Sequence, residues 1–135
     1  MPRSPLPLLV LFFLILSCAS PTDDQAFLHH LHQLRAEALQ KGDLTLFDRI
    51  ISPHYHDDKG GKMEKLASIR ESLSRRSLVS VRFDSPRITS DGRRGEIVSR
   101  YRMRVRVNGT EMEFVGEERL LVEKEGMEWR VVGGL

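Results

Sequence analysis

The spacing of hydrophobic residues changes near residue 78, and this change divides the chain into two parts. Before it, apolar residues recur every three or four positions, the spacing of a helix that buries one side. After it, apolar and polar residues alternate, as in a strand that buries one face. The pattern therefore predicts an α+β domain in which three N-terminal helices cover a strongly twisted antiparallel sheet.

The first half contains the signals of three helices. Thr22-Asp23-Asp24-Gln25 resembles a capping box, and Gly42 ends the helix that follows. This helix has a single apolar stripe, formed by Phe27, Leu31, Leu34 and Ala38. Asp43 is the predicted cap of a second helix over residues 44–51, and a third is predicted over residues 63–74, after a polar loop at 54–61. His29 and His32 are expected in solvent, and His30 at the edge of the stripe.

The second half contains one unusually regular hairpin. In residues 97–107, alternate positions are apolar or small, and arginines occupy most positions between them. Asn108-Gly109 is a favoured two-residue turn, which fixes the register of the two strands. The inner face is then predicted to pair Val107 with Thr110, Val105 with Met112, Met103 with Phe114 and Tyr101 with Gly116.

The same register explains the arginines on the outer face. Three of the four are predicted to lie opposite glutamates, as Arg106 with Glu111, Arg104 with Glu113 and Arg100 with Glu117. Opposite charges across a ladder neutralise the field that would attract phosphate groups. The formal charge of the chain is only +2. We therefore expect a solvated, self-paired sheet face and no nucleic-acid partner.

The N-terminal sequence features follow one another as in a bacterial lipoprotein precursor. Residues 6–16 are an apolar run, long enough for a signal peptide but too short to cross a bilayer. Ile15-Leu16-Ser17-Cys18 closes the run and resembles a lipobox. The alternative is an ordinary secretory signal that is cleaved a few residues later. A lipobox implies a signal peptide over residues 1–17, a lipid on Cys18 and a very short tether over 18–21.

These features predict a membrane-anchored protein of the bacterial cell envelope. Ala19 follows the cysteine, which favours the periplasmic side of the outer membrane. Because Cys18 is the only cysteine, the domain over residues 22–135 has no internal disulfide and depends on packing for its stability.

The ordered motifs of the domain resemble the nuclear-transport-factor-2-like (NTF2-like) superfamily. They are Gly42-Asp43, then Pro53-x-Tyr55, and a closing Glu-Gly-x-x-Trp-Arg-Val-Val over residues 125–132. The resemblance covers residues 22–133. It implies a cone, in which a strongly curved sheet wraps around the helices and leaves an apolar pocket at its wide end. Some relatives are enzymes, including ketosteroid isomerase and scytalone dehydratase, and many others only bind or assemble.

The resemblance also implies where a ligand and a second subunit would lie. The pocket would be lined by Tyr55, Ser99, Tyr101, Met103, Phe114 and Trp129. Many relatives are dimers through the outer sheet face. Here Val115, Leu121 and Val132 are apolar among the charges of that face. We therefore expect a homodimer through the sheet.

The loop after the second helix carries the candidate chemistry, with three interpretations. Tyr55 could donate to an oxyanion while Asp57 or Asp58 abstracts a proton. His54 and His56 are weak candidates for metal ligands beside the two aspartates. In the third interpretation, which we favour, Tyr55 packs under the helices and the other residues form a structural turn. No residue here matches the catalytic acid of ketosteroid isomerase.

Glu118 is a further candidate because the register places it on the inner face beside Ser99. A buried carboxyl without a partner has a raised pKa and can act as an acid. We favour instead a bulge at Gly116 that turns Glu118 outward, or a position at the open rim.

The leading function predicted for the domain is that of a non-catalytic module that binds a small apolar ligand or a protein partner, without a cofactor. The alternative is a cofactor-independent lyase, isomerase or hydrolase.

Overall fold

The computed structural model describes residues 21–135, which form three helices and seven strands. The predicted signal peptide, Cys18 and most of the tether lie outside the described residues. The helices are α1 (Pro21–Lys41), α2 (Leu44–Ile50) and α3 (Lys62–Arg75). The strands are β1 (His56–Asp57), β2 (Gly60–Gly61), β3 (Ser77–Phe83), β4 (Arg87–Ser90), β5 (Arg94–Val107), β6 (Thr110–Glu125) and β7 (Glu128–Gly133). None of these helices is both long enough and apolar enough to span a bilayer.

The sheet is built around β5, the strand with the alternating arginines. Its first half pairs with β4, its second half pairs with β3, and β6 runs along its other edge. The last strand, β7, pairs with the end of β6, and every pairing in the sheet is antiparallel. The helices pack against this curved sheet, so the predicted α+β fold class is confirmed.

The register predicted for the long hairpin is confirmed at every position. Val107 lies opposite Thr110, Met103 opposite Phe114 and Ser99 opposite Glu118. Asn108 and Gly109 have φ angles of 50° and 79°, as a turn with positive φ at both central residues requires. No bulge interrupts the ladder between β5 and β6. The expectation that a bulge at Gly116 turns Glu118 outward is therefore wrong.

The outer arginines are paired with glutamates, but mostly along diagonals. Arg104 lies opposite Glu113, yet its guanidinium is 3.1 Å from Glu111, which also lies 3.5 Å from Arg106. Glu113 lies 3.6 Å from Arg102 instead. Long side chains on a twisted ladder reach diagonal neighbours as readily as opposite ones. The prediction of a self-paired charged face is correct for three of the four arginines. Arg106 contacts its predicted partner, whereas Arg104 and Arg102 contact diagonal glutamates. Arg100 and Glu117 lie opposite each other without forming an ion pair.

Helix α1 is rotated relative to its predicted orientation. Leu28, Leu31 and Ala38 are buried, whereas Phe27, assigned to the apolar stripe, is 54% exposed. The capping box is also wrong, because α1 begins at Pro21 and Gln25 donates a hydrogen bond to the main chain of Ile88 in β4. Contacts with the sheet, rather than the apolar pattern alone, therefore decide which side of α1 is buried.

This rotation brings two polar residues of α1 into the interior. His32 is only 6% exposed, so the prediction that it lies in solvent is wrong. Arg35 is buried on the same side, since residues three apart share a helix face. His29 and His30 are exposed.

The connections in the middle of the chain contain more regular structure than predicted. Within the predicted polar loop, β1 and β2 form a minimal hairpin, with His56 opposite Gly61. β3 has an irregularity at Val79, so Leu78 and Val81 both face inward. A short strand, β4, pairs with the first half of β5 through a tight turn over residues 91–93.

The hydrophobic core joins α1 and α2 to the inner face of β5, β6 and β7. Its largest fully buried members are Leu28, Phe47, Ile51, Ile97, Leu120, Val122 and Val131. The end of α2 is tied directly to β7, because the Ser52 amide donates to the Val131 carbonyl at 2.9 Å. Asp43 caps α2 as predicted, with its carboxylate accepting from the Leu46 amide.

Candidate functional site: a polar cluster inside the fold

Four polar side chains meet between α1 and the sheet, and we call them the interior cluster. α1 supplies His32 and Arg35, β5 supplies Ser99 and β6 supplies Glu118. Ser99 and Glu118 face α1 because they lie opposite each other on the inner face of the hairpin. The cluster therefore joins residues 67 and 83 positions apart in sequence.

The interior cluster consists of two polar pairs. The Arg35 guanidinium Nη2 donates to Glu118 Oε2 at 2.8 Å, and both side chains are mostly buried. His32 Nε2 lies 3.0 Å from Ser99 Oγ in a buried hydrogen bond. Burial, followed by the positive charge of Arg35 and the proximity of His29, lowers the pKa of His32. The imidazole is therefore neutral at pH 7.

Three polar atoms of the ion pair have no hydrogen-bond partner among residues 21–135. They are Nε and Nη1 of Arg35 and Oε1 of Glu118, all shielded from solvent. A buried polar group without a partner costs about 1–3 kcal/mol, and more when the group is charged. A buried ion pair is favourable only when further hydrogen bonds satisfy its remaining atoms. This pair is thus incompletely satisfied by the chain itself.

Aromatic rings surround these charges. The Arg35 guanidinium lies 5.3 Å from the centre of the Phe47 ring. The Phe83 ring meets the His32 ring edge-on at 5.2 Å and lies 6.2 Å from the Tyr101 ring. The surroundings are therefore largely apolar, which strengthens any hydrogen bond made to the unpaired atoms.

Beyond this cluster, toward the tip of the hairpin, side chains of the inner face become more exposed to solvent. At the next pair, a Cβ on Gly116 would lie 2.7 Å from the Tyr101 hydroxyl, so only glycine leaves room for this ring. The pair after it is Met103 with Phe114, and Phe114 is 39% exposed although it faces inward. Met103 follows Ser99 by four residues of β5, so this apolar pair lies about 14 Å from the interior cluster.

The candidate loop residues form a second assembly, which we call the loop cluster. The Tyr55 hydroxyl donates to Asp57 Oδ2 at 3.0 Å and accepts from the Leu135 amide at 3.2 Å. Lys65 lies 2.6 Å from the same Asp57 oxygen and donates to the Leu135 carbonyl. Oδ1 of Asp57 accepts from the Lys59 amide at 2.8 Å.

The electrostatics of the loop cluster match these contacts. The hydrogen bond from Lys65, followed by that from the Lys59 amide, lowers the pKa of Asp57 to about 2. Burial, followed by the hydrogen bond to Asp57, raises the pKa of Tyr55 well above its ordinary value. Asp57 is therefore a weak base and Tyr55 a weak acid at pH 7, which is unfavourable for proton transfer between them.

The other candidates from the sequence are dispersed. His54, His56 and Asp58 are exposed, and across residues 21–135 no three His, Cys, Asp or Glu side chains are grouped so as to hold a metal ion. Trp129 is buried, and its indole nitrogen donates to Asp24 at 3.1 Å. Of the six predicted pocket residues, Ser99 belongs to the interior cluster, and Tyr101, Met103 and Phe114 lead from it toward the hairpin tip.

Comparison with known proteins identifies the fold. No family model matches the sequence, and no curated protein matches it. Among solved structures, the Kfla4162 protein of Kribbella flavida superposes with a TM-score of 0.75 at 16% identity, over 85% of this chain and 90% of that one. An NTF2-like superfamily protein of Salmonella enterica gives 0.68 at 18% identity, over 84% and 89%.

The chain has the NTF2-like fold. A candidate scytalone dehydratase of Novosphingobium aromaticivorans, with a TM-score of 0.71 at 10% identity over 83% of this chain and 81% of that one, has the same architecture. Identities this low establish a shared fold and no shared activity. In this NTF2-like cone, the interior cluster lies between the first helix and the concave face of the sheet.

His32 and Arg35 were not recognised as site residues from the sequence. Each follows a residue of the predicted apolar stripe by one position, so the pattern placed it beside the stripe. The pattern therefore assigned His32 to solvent. The sequence signal that could have indicated a buried cation was Glu118, because a carboxylate on an inner sheet face requires a cationic partner. Arg35 is the only cation in the middle of α1 and could have been proposed on that ground.

Proposed function

We propose that the protein is a membrane-anchored envelope lipoprotein whose NTF2-like domain binds a small, mainly apolar ligand with one polar head. The unpaired atoms of the Arg35–Glu118 pair carry this proposal. They offer two N–H donors and one carboxylate acceptor in an apolar environment. A ligand head that both accepts and donates hydrogen bonds, such as a carboxylic acid or an amide, complements them.

The apolar body of the ligand would lie on the open inner face. Tyr101, Met103 and Phe114 follow one another from the interior cluster toward the hairpin tip. Small-molecule sites commonly combine an apolar lining with a few polar groups that fix orientation. The two features here lie on one surface in that order.

The binding test uses 8-anilinonaphthalene-1-sulfonate, a dye with apolar rings and a sulfonate that can accept from Arg35. We expect the dye to bind the wild-type protein with increased fluorescence. Replacing the ion pair by Arg35→Met with Glu118→Leu should weaken binding roughly 10–100-fold, since a hydrogen bond to a charged group contributes about 1.5–3 kcal/mol. Met63→Ser, at an exposed position of α3, is the control, and equal binding by all three proteins would refute the proposal.

The anchor has its own test. We propose that Cys18 carries the lipid and that the signal peptide over residues 1–17 is removed, which places the domain on the periplasmic side of the outer membrane. Cys18→Ser should abolish incorporation of a fatty-acid probe and leave the precursor uncleaved. Unchanged labelling of the variant would contradict the proposal.

A cofactor-independent lyase or isomerase is the second candidate, and His32 is the observation that favours it. A buried neutral imidazole beside Ser99 can accept a proton, and Arg35 could stabilise a developing oxyanion. For a ligand that the protein converts, His32→Gln should abolish turnover and retain binding. Retained turnover would exclude this role.

We also propose a homodimer through the outer sheet face. Val115 is 66% exposed there, and Leu121 is exposed as well. Leu121→Lys should shift the protein toward monomer in sedimentation velocity without unfolding it. Met63→Lys, at an exposed methionine of α3, is the control. A wild-type protein that is monomeric at all concentrations would contradict the proposal.

A further inference from the structure

A second apolar feature lies away from the interior cluster, in a groove between α1, α2 and the start of β7. The groove has a volume of about 330 Å³. Its floor contains Leu31, Ile50 and Trp129, all buried. Its edges carry two apolar side chains that project into solvent, Phe27 at 54% exposure and Met127 at 88%. No residue of the interior cluster lines it.

The charged residues of this groove have long, flexible side chains. Arg49 on α2 and Arg130 on β7 line it, together with Glu128, which lies 2.9 Å from Arg130. Arginine side chains can extend an apolar stem along a hydrophobic surface while the guanidinium contacts a polar layer. The edge of the groove is therefore amphipathic, with apolar tips beside the Arg49 guanidinium and the Arg130–Glu128 ion pair.

The groove lies at the end of the domain where the chain enters. Asp24, in the first turn of α1, accepts hydrogen bonds from the Trp129 indole at 3.1 Å and from Lys124 at 3.3 Å. These contacts hold the turn between β6 and β7, which carries Met127, against the start of α1. Phe27 follows Pro21 by six residues, or about 9 Å along the helix.

The length of chain before α1 sets the distance to the proposed lipid. Pro21 follows Cys18 by three positions, which span at most about 10 Å. A lipid on Cys18 therefore keeps the backbone of Phe27 within about 20 Å of the membrane surface, and Met127 projects from the same groove. Two projecting apolar side chains at that distance can reach the boundary between headgroups and acyl chains.

We propose that this groove edge is a membrane-contact surface whose occupant is the bilayer that holds Cys18. Phe27 and Met127 enter the headgroup boundary, about 5–10 Å deep, while Arg49 meets lipid phosphates. The contact fixes the orientation of the domain on the membrane, so that it does not turn freely about its tether. The inference rests on the proposed anchoring at Cys18.

The test places a nitroxide at single sites of the lipidated full-length protein. Because the only native cysteine carries the lipid, Met127→Cys and Phe27→Cys each introduce one free thiol. Met63→Cys is the matched control, since Met63 is also largely exposed and does not line the groove. The protein is reconstituted in vesicles of phosphatidylethanolamine and phosphatidylglycerol. Collision of each nitroxide with oxygen and with a water-soluble nickel complex is then measured.

We expect labels at 27 and 127 to be accessible to oxygen and protected from nickel, and the label at 63 to be accessible to nickel. Equal nickel accessibility at all three positions overturns the inference. The mass of the same sample separates this failure from failure of the anchor. A lipid-modified Cys18 with aqueous labels refutes the contact alone, whereas an unmodified Cys18 refutes the anchor and the contact with it.

Discussion

The interior cluster and the loop cluster contain the same kind of ion pair in different surroundings. Each joins a carboxylate to a cation through one short contact, Glu118 to Arg35 in the first and Asp57 to Lys65 in the second. All four side chains are largely buried. In the loop cluster both Asp57 oxygens accept further hydrogen bonds. In the interior cluster three polar atoms lack partners among the described residues.

The difference underlies the structural role of the loop cluster and the binding role that we propose for the interior cluster. The loop cluster ties the Tyr55 turn to α3 and to the main chain of Leu135, and its hydrogen bonds hold the carboxylate charged. The interior cluster has donors and an acceptor still available to a ligand. The loop motif, for which the sequence offered catalytic, metal-binding and structural interpretations and favoured the structural one, is thus the satisfied cluster. The incompletely satisfied cluster involves residues of α1.

The largest expected effect comes from breaking the interior ion pair on one side. Arg35→Ala leaves Glu118 as a buried charge without its cation, which should lower the free energy of unfolding by about 3–5 kcal/mol. Urea unfolding measures this loss.

The double variant Arg35→Met with Glu118→Leu is the control, because apolar residues of similar volume remove both charges together. It should unfold within about 1 kcal/mol of the wild type or be more stable. A double variant as unstable as the single one would show that the charges are required for folding.

The loop cluster can be tested with two neighbouring aspartates. Asp57→Asn should lower the melting temperature by a few degrees, because the neutral amide cannot replace the carboxylate between Lys65, Tyr55 and the Lys59 amide. Asp58→Asn is the matched control and should melt like the wild type, because Asp58 is exposed. Equal melting of both variants and the wild type would refute the structural role.

The contribution of Asp57 to the free energy of unfolding should also depend on pH in the acidic range. The pKa of Asp57 is lowered to about 2 in the folded state, below that of an unfolded aspartate near 3.9. Its stabilisation is therefore present above pH 4 and lost as the pH falls toward 2. Between these values the difference between wild type and Asp57→Asn should shrink. A difference that stays constant would contradict this linkage.

Burial of neutral His32 should cause a second, smaller loss of stability, at a higher pH than the loss due to Asp57. Its pKa is lowered in the folded state, so the unfolded chain binds a proton first as the pH falls below about 6.5. Stability should therefore decline between pH 7 and 5, by at most about 1.4 kcal/mol per pH unit for one proton. His32→Gln should flatten this part of the profile. The expectation fails if the variant keeps the wild-type slope.

The smallest effect is expected on the outer face. Arg104 contacts Glu111 in an exposed pair, and such pairs contribute about 0–1 kcal/mol. Arg104→Ala should change the unfolding free energy by less than about 1 kcal/mol, as measured by urea unfolding. A loss comparable to that of Arg35→Ala would mean that burial does not explain the contrast between these arginines.

The sequence by itself determined the elements whose signals are local. The Asn108-Gly109 turn and the alternation on both sides of it predicted every pair of the β5–β6 ladder, because a two-residue turn fixes the register. Gly42 and Asp43 likewise placed the boundary between α1 and α2 correctly. Ordered short motifs then indicated the NTF2-like fold.

Only the tertiary structure decided which side of α1 is buried and what meets Glu118. A helix pattern identifies an apolar stripe, but it does not show how a curved sheet covers the residues beside that stripe. Phe27 was therefore assigned to the core and His32 to solvent, and the structure reverses both. The Arg35–Glu118 contact joins positions 83 residues apart, and no local spacing encodes such a pair. Whether a polar residue is satisfied depends on neighbours that only the folded chain brings together.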